Sequence, residues 1–158
     1  VSTCDGQLYQ IPDDCQTVVK TIRERVGRKP LIGKIGRITQ PNQMRALLKA
    51  IHPYVDALAM TNSIATRVKD EQGNFLFDGQ VRGICGKATL DASVEQTALA
   101  HKIIKEEGYE VELIGVGGAS CLDDVQRYLH AGAAAVHLAT AAMQNPSIAI
   151  EIKQLAAS

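Results

Sequence analysis

The stretch Ile114-Gly115-Val116-Gly117-Gly118-Ala119-Ser120 decides the reading of this chain: an apolar strand, two consecutive glycines, then a serine able to cap a helix. Consecutive glycines let a backbone approach a ligand closely. The helix that follows offers unpaired N–H groups and a positive dipole end to an anion. The segment Val136-His137-Leu138-Ala139-Thr140-Ala141 repeats the theme, a strand end followed by small residues and a hydroxyl. Two successive βα loops of this kind make the phosphate site found after the last two strands of a (β/α)8 barrel. A single Gly-Gly pair would favour a mere tight turn; the pair of loops favours phosphate. The dinucleotide fingerprint is not matched, because Ser120 and Asp123 stand where its last glycine would fall.

Working outward, strand and helix patterns alternate. Asp13 and Asp14 are placed to cap a helix with Val18, Val19, Ile22 and Val26 on one side, ending near Gly27. Leu31–Ile35 reads as a strand. A helix opens at Thr39 or Gln40 with Pro41 in its first turn, carries Met44, Leu47, Leu48 and Ile51 inward, and stops at Pro53. Ala57–Met60 is a second strand. From Thr61 to Leu90 the pattern breaks, over a length that suggests a functional loop. Ser93-Val94-Glu95-Gln96 matches a capping box, which predicts a helix from there to Gly108. Val111–Val116 is the third strand. A helix from Ser120 with Leu122, Val125 and Leu129 inside closes at Gly132. Ala133–Leu138 is the fourth strand, and Ser147–Leu155 the last helix.

This alternation implies right-handed βαβ units and a parallel sheet, with strands apolar throughout because both faces are covered. A whole (β/α)8 barrel needs about 250 residues, and this chain has 158. The expectation is therefore a single partial domain over residues 1–158, holding the last four to five βα units, or else an open α/β sheet.

Composition narrows the function classes. Apolar residues make up 46% and charged residues 22%, with zero formal net charge, so nothing points to nucleic acid or an anionic membrane. The absence of Trp removes the best base-stacking side chain. Cys4, Cys15, Cys85 and Cys121 form no CxxC pair and the four His are scattered, so no metal site is expected. Reduced thiols, no signal peptide and no apolar span indicate a cytoplasmic protein.

Lys34 lies inside the apolar run Leu31–Ile35. It is either an exposed strand end or a buried ammonium that needs an anionic partner or a depressed pKa. A Schiff-base lysine and a charge stabilising a reduced cofactor both fit the second option. Thr61-Asn62-Ser63 presents three hydrogen-bonding side chains straight after a strand, and a simple loop start explains them equally well. Gly79, Gly83 and Gly86 flank Arg82, as in a backbone packed on something flat or phosphorylated, or merely flexible. His52, His101 and His130 are expected on helix surfaces and His137 in the core.

Taken in order, Lys29-Pro30-Leu31-Ile32-Gly33-Lys34, Thr61-Asn62-Ser63, Arg82-Gly83-Ile84-Cys85-Gly86, Ile114–Gly118 and Ala131-Gly132-Ala133 to Thr140-Ala141 resemble the C-terminal portion of the dihydroorotate dehydrogenase family. Each motif is weak alone; the ordered set covers nearly the whole chain. The resemblance implies an FMN-dependent (β/α)8 TIM barrel that oxidises dihydroorotate to orotate in pyrimidine synthesis. It implies that Lys34 contacts the flavin ring, where a positive charge favours the anionic reduced form. It places Asn62 and Ser63 on pyrimidine and flavin, Gly83 along the flavin, and Gly117, Gly118, Ala139 and Thr140 on the FMN phosphate. The family's Ser or Cys base falls near Val1–Asp5, where Thr3 or Cys4 takes the role according to register. Arg82 and Ala139 stand where the family usually has glycine, which bears on orotate specificity more than on flavin binding.

The resemblance also implies that the barrel's first strands lie outside this chain. The missing half, or a second copy, is then expected to cover the open edge. Two alternatives keep the same phosphate loops. One is a lyase or isomerase of a phosphorylated metabolite with Lys34 as Schiff-base nucleophile; the other is a non-catalytic half-barrel.

Overall fold

A computed structural model describes residues 7–157. Its main sheet has four parallel strands, β1 (Ile32–Lys34), β2 (Ala57–Met60), β5 (Glu112–Val116) and β6 (Ala135–His137), side by side in that order. Helices α1 (Pro12–Val26), α2 (Pro41–Ile51), α3 (Leu90–Glu107), α4 (Leu122–His130), α5 (Thr140–Gln144) and α6 (Ile148–Ala157) fill the connections. Strands adjacent in sequence are adjacent in space, which gives consecutive staves of a barrel wall rather than a doubly wound sheet. The separate hairpin β3 (Ile64–Arg67) and β4 (Val81–Ile84) is antiparallel.

The register assigns a face to every strand residue, since paired residues of neighbouring parallel strands point the same way. Leu58, Met60 and Leu113 are fully or almost fully buried on the outer face, packed with Met44, Leu47, Leu48 and Ile51 of α2 and Ile103 of α3. Each such side chain contributes on the order of 1.5–3 kcal/mol. Ala57, Ala59, Ile114 and Val116 form a smaller cluster on the inner face. Ile32 and Lys34 pair with Ala57 and Ala59, and Ala135 and His137 with Ile114 and Val116, so all four share that inner face.

Here the expectation of two covered faces fails. Ile32, Lys34, Ala135 and His137 are exposed, because the inner face is open at both outer strands. The buried-ammonium argument for Lys34 falls with it, and His137 is not a core histidine.

Several local readings also change. Leu129 is 46% exposed; Tyr128 and Asp124 are the buried side chains of α4. Val18 and Ile22 of α1 are exposed, and Cys15 is its buried residue. The helix expected from Ser93 begins at Leu90, after a 3-10 turn over Gly86–Thr89, so Ser93 is an interior residue and not a cap. His52 stacks on Tyr109 with ring centroids 4.0 Å apart, and His101 packs against Gly132, so both are half-buried. The α2 stripe and the β2 strand stand as predicted. No helix among the described residues is long and apolar enough to cross a membrane.

Candidate functional site

A cavity of about 540 Å³ opens at the C-terminal ends of all four parallel strands. It is lined by Lys34 from β1, Thr61, Asn62 and Ser63 after β2, Val116 to Ser120 after β5, and His137, Ala139, Thr140 and Ala141 at the end of β6. Cys85, Gly86, Lys87 and Thr89 come from the segment joining β4 to α3. The fold thus brings together Lys34, Asn62, Ser63, Gly117, Gly118, Ala139 and Thr140, all singled out in the sequence, with Thr61 and Gly86 beside them. Gly83 does not line the cavity. It packs against a lining residue, since a Cβ there would sit 2.8 Å from the Ser63 hydroxyl oxygen. Thr3 and Cys4 lie outside the described residues.

The glycine loop is shaped by its neighbours. Gly117 and Gly118 have φ of +126° and +74°, which side-chain-bearing residues rarely adopt. A Cβ on Gly117 would lie 2.8 Å from the Thr89 hydroxyl oxygen and 2.9 Å from that of Ser93; one on Gly118 would lie 2.9 Å from the Gly86 carbonyl oxygen. The loop therefore needs glycine for its own packing, and its fitness for a ligand rests on where it opens.

Beneath it runs a chain of hydroxyls. Thr61 Oγ1 and Ser93 Oγ share a hydrogen bond, and Ser93 also interacts with the Tyr128 hydroxyl. Tyr128 Oη donates to the Gly117 carbonyl at 2.6 Å. Burial raises the Tyr128 pKa, so the phenol stays protonated as that bond requires. None of this network was found from the sequence. Tyr128 stands next to Leu129, which the helical pattern placed inside in its stead.

The long segment after β2 is a hairpin. Its strands pair Ile64 with Ile84 and Arg67 with Val81, and Arg82 lies over the Phe77 ring at 5.8 Å. Cys85 and Cys121 are free and exposed and Cys15 is free and buried; among the described residues no His, Cys, Asp or Glu cluster could hold a metal.

The C-terminal ends of consecutive parallel strands, where this cavity opens between a Gly-Gly loop and a Thr loop, are the face on which (β/α)8 barrels carry their sites. The family model described as dihydroorotate dehydrogenase matches residues 5–157, and the chain belongs to that family. The dihydroorotate dehydrogenase of Dictyostelium discoideum is 29% identical over 157 residues, 96% of this chain and 42% of that protein. The catalytic subunit of dihydroorotate dehydrogenase B (NAD(+)) from Staphylococcus carnosus is 30% identical over 107 residues, covering 67% and 33%. The structure of ligand-free DHODH from Eimeria tenella superposes with a TM-score of 0.75 at 19% identity, covering 97% of this chain and 48% of that one. Its complex with ferulenol superposes at 0.67 and 21% identity, covering 93% and 42%. The fold is thus part of a TIM barrel, and the chain spans less than half the length of these relatives.

Proposed function

We propose that this chain is the C-terminal, flavin-phosphate-holding portion of an FMN-dependent dihydroorotate dehydrogenase, a single partial-barrel domain over residues 1–158. The observation that carries this is the convergence of Lys34, Asn62, Ser63, Gly117-Gly118 and Thr140 from four strand ends on one cavity. FMN, when bound, supplies the hydride acceptor for oxidation of dihydroorotate to orotate.

The residues fit such a group. Lys34 stands on β1 and the glycine loop two strands away on β5, about 10 Å at ordinary strand spacing. A flat ring at one end and a phosphate at the other match that separation. Lys34 would place positive charge beside the ring and favour electron density arriving there. Asn62 and Ser63 would orient the ring and the pyrimidine by hydrogen bonds. Gly83 would lie along the flavin, where a side chain would crowd Ser63. Gly117, Gly118, Ala139 and Thr140 would hold the phosphate. Thr3 or Cys4 would take the proton that leaves carbon as hydride departs.

The open inner face and the exposed Ile32, Val18 and Ile22 support a covering partner, either the remaining half of the barrel or a second copy. Light scattering that finds a stable soluble monomer would count against this. Localisation to the cytoplasm belongs to the same reading.

The test is anaerobic addition of dihydroorotate to the FMN-loaded protein. Loss of the yellow flavin absorbance supports the reading, and persistent colour contradicts it. The lyase reading draws on Lys34 lining the cavity. Borohydride that traps a phosphorylated carbonyl substrate on Lys34, with no flavin bound, would favour it. A protein that binds FMN yet never reduces it would be the non-catalytic half-barrel.

A further inference from the structure

Lys34 and Lys87 are the charged residues lining the cavity and no carboxylate lines it among the described residues, although the chain has zero formal net charge. A lining with two ammonium groups and no carboxylate offers N–H donors to an anion, although one of the two is also paired to a carboxylate behind it. The two lysines divide the space. Lys34 stands at the end of β1, whereas Lys87 follows Gly86, whose carbonyl oxygen packs against Gly118.

Asp124 fixes Lys87 there. This carboxylate is buried on α4, and both its oxygens accept from Lys87 Nζ at 2.6 Å. Its Oδ2 also accepts from the Ser120 N–H at 2.9 Å and the Ser120 hydroxyl at 3.1 Å. Burial alone would push its pKa up. The bonds from Lys87, the Ser120 N–H, Cys121 and the Ser120 hydroxyl outweigh that and hold it at about 2.

A phosphate on the glycine loop alone would meet two difficulties. The Ser120 N–H is already committed to Asp124, and a buried negative charge lies beneath the loop. An ammonium carries three N–H donors, and Lys87 lines the cavity with its side chain 62% exposed despite the ion pair. One group therefore neutralises the carboxylate and keeps a donor for a ligand.

We propose that Lys87 is a further phosphate-binding residue, donating directly to the phosphate of the flavin nucleotide received by the Gly117-Gly118 loop. The proposal rests on the flavin reading above. Asp124 acts through Lys87 and Ser120 and is a positioning residue.

The test compares binding of FMN with that of riboflavin, the same ring without phosphate, to the wild-type chain, Lys87→Met, Lys87→Arg and the double variant Lys87→Met/Asp124→Asn. Loss of one charge-assisted bond predicts about 10- to 100-fold weaker FMN binding for Lys87→Met, with riboflavin binding unchanged. Lys87→Arg recovers most of the affinity, and the double variant stays weak. Unchanged FMN affinity in Lys87→Met overturns the proposal, as does equal loss of both ligands, which marks a structural role. Recovery in the double variant overturns the direct contact, since Lys87 would then only neutralise Asp124. A wild-type chain that binds riboflavin as tightly as FMN has no phosphate site and overturns it too. A wild-type chain that binds neither overturns the flavin reading itself, and this proposal with it.

Discussion

The Tyr128 hydroxyl donates to the carbonyl oxygen of Gly117 at 2.6 Å, tying a fully buried side chain of α4 to the first glycine of the candidate phosphate loop. The ring of the same tyrosine fills the space beside Gly115, where a methyl group would collide with it. One side chain thus sets both the approach of β5 to α4 and the start of the loop.

Tyr128→Phe should cost about 0.5–1.5 kcal/mol, because it removes the hydrogen bond to the part-buried Gly117 carbonyl. Urea unfolding measures this. FMN affinity should fall with it, while a change on the exposed neighbour Leu129 to Gln should leave both within about 0.5 kcal/mol.

Gly115→Ala and Gly118→Ala should separate packing from conformation. The first places a methyl in the Tyr128 ring from an ordinary backbone; the second combines a φ of +74° with contacts at 2.8–2.9 Å. Overpacking and strain of this kind each cost about 1–3 kcal/mol. Both variants should unfold at lower urea, and Gly118→Ala should lose the larger share of FMN binding.

Acid should release the Lys87–Asp124 tie. The folded pKa of Asp124, about 2, lies below the ordinary 3.8, so its stabilisation is present above pH 3.8 and is lost as pH falls through 2. Solvent around the exposed Lys87 screens the pair, so the stabilisation is about 1 kcal/mol. Unfolding free energies measured between pH 5 and pH 2 should fall more steeply for the wild type than for Asp124→Asn. Equal slopes would contradict the assignment.

Lys34→Met should leave stability within about 0.5 kcal/mol, since the side chain is exposed at a strand end. It should lower the reduction potential of bound flavin by removing the positive charge beside the ring. A large loss of stability with an unchanged potential would mean that Lys34 is structural.

The sequence carried the architecture where one period dominated. Met44, Leu47, Leu48 and Ile51 read correctly as one helix face, and Ala57–Met60 as a buried strand. Where a motif sat at a strand end, as at Gly117-Gly118 and Thr140, it marked residues that line one cavity. It failed where long-range pairing decides. Nothing local in Ile64–Arg67 announces a partner at Val81–Ile84. Ser93 matched a capping box, yet its hydroxyl is used inside the protein, on Thr61. Lys34 and His137 were judged by apolar neighbours in sequence, but their exposure depends on the open inner face of the sheet, a property of the assembled wall.

The central claim is that the cavity above β1, β2, β5 and β6 holds FMN. The visible absorption spectrum of the natively purified protein, with mass analysis of any released cofactor, tests it most directly. Stoichiometric FMN, present or taken up on addition, is the predicted result. A colourless protein that takes up no added FMN would contradict it.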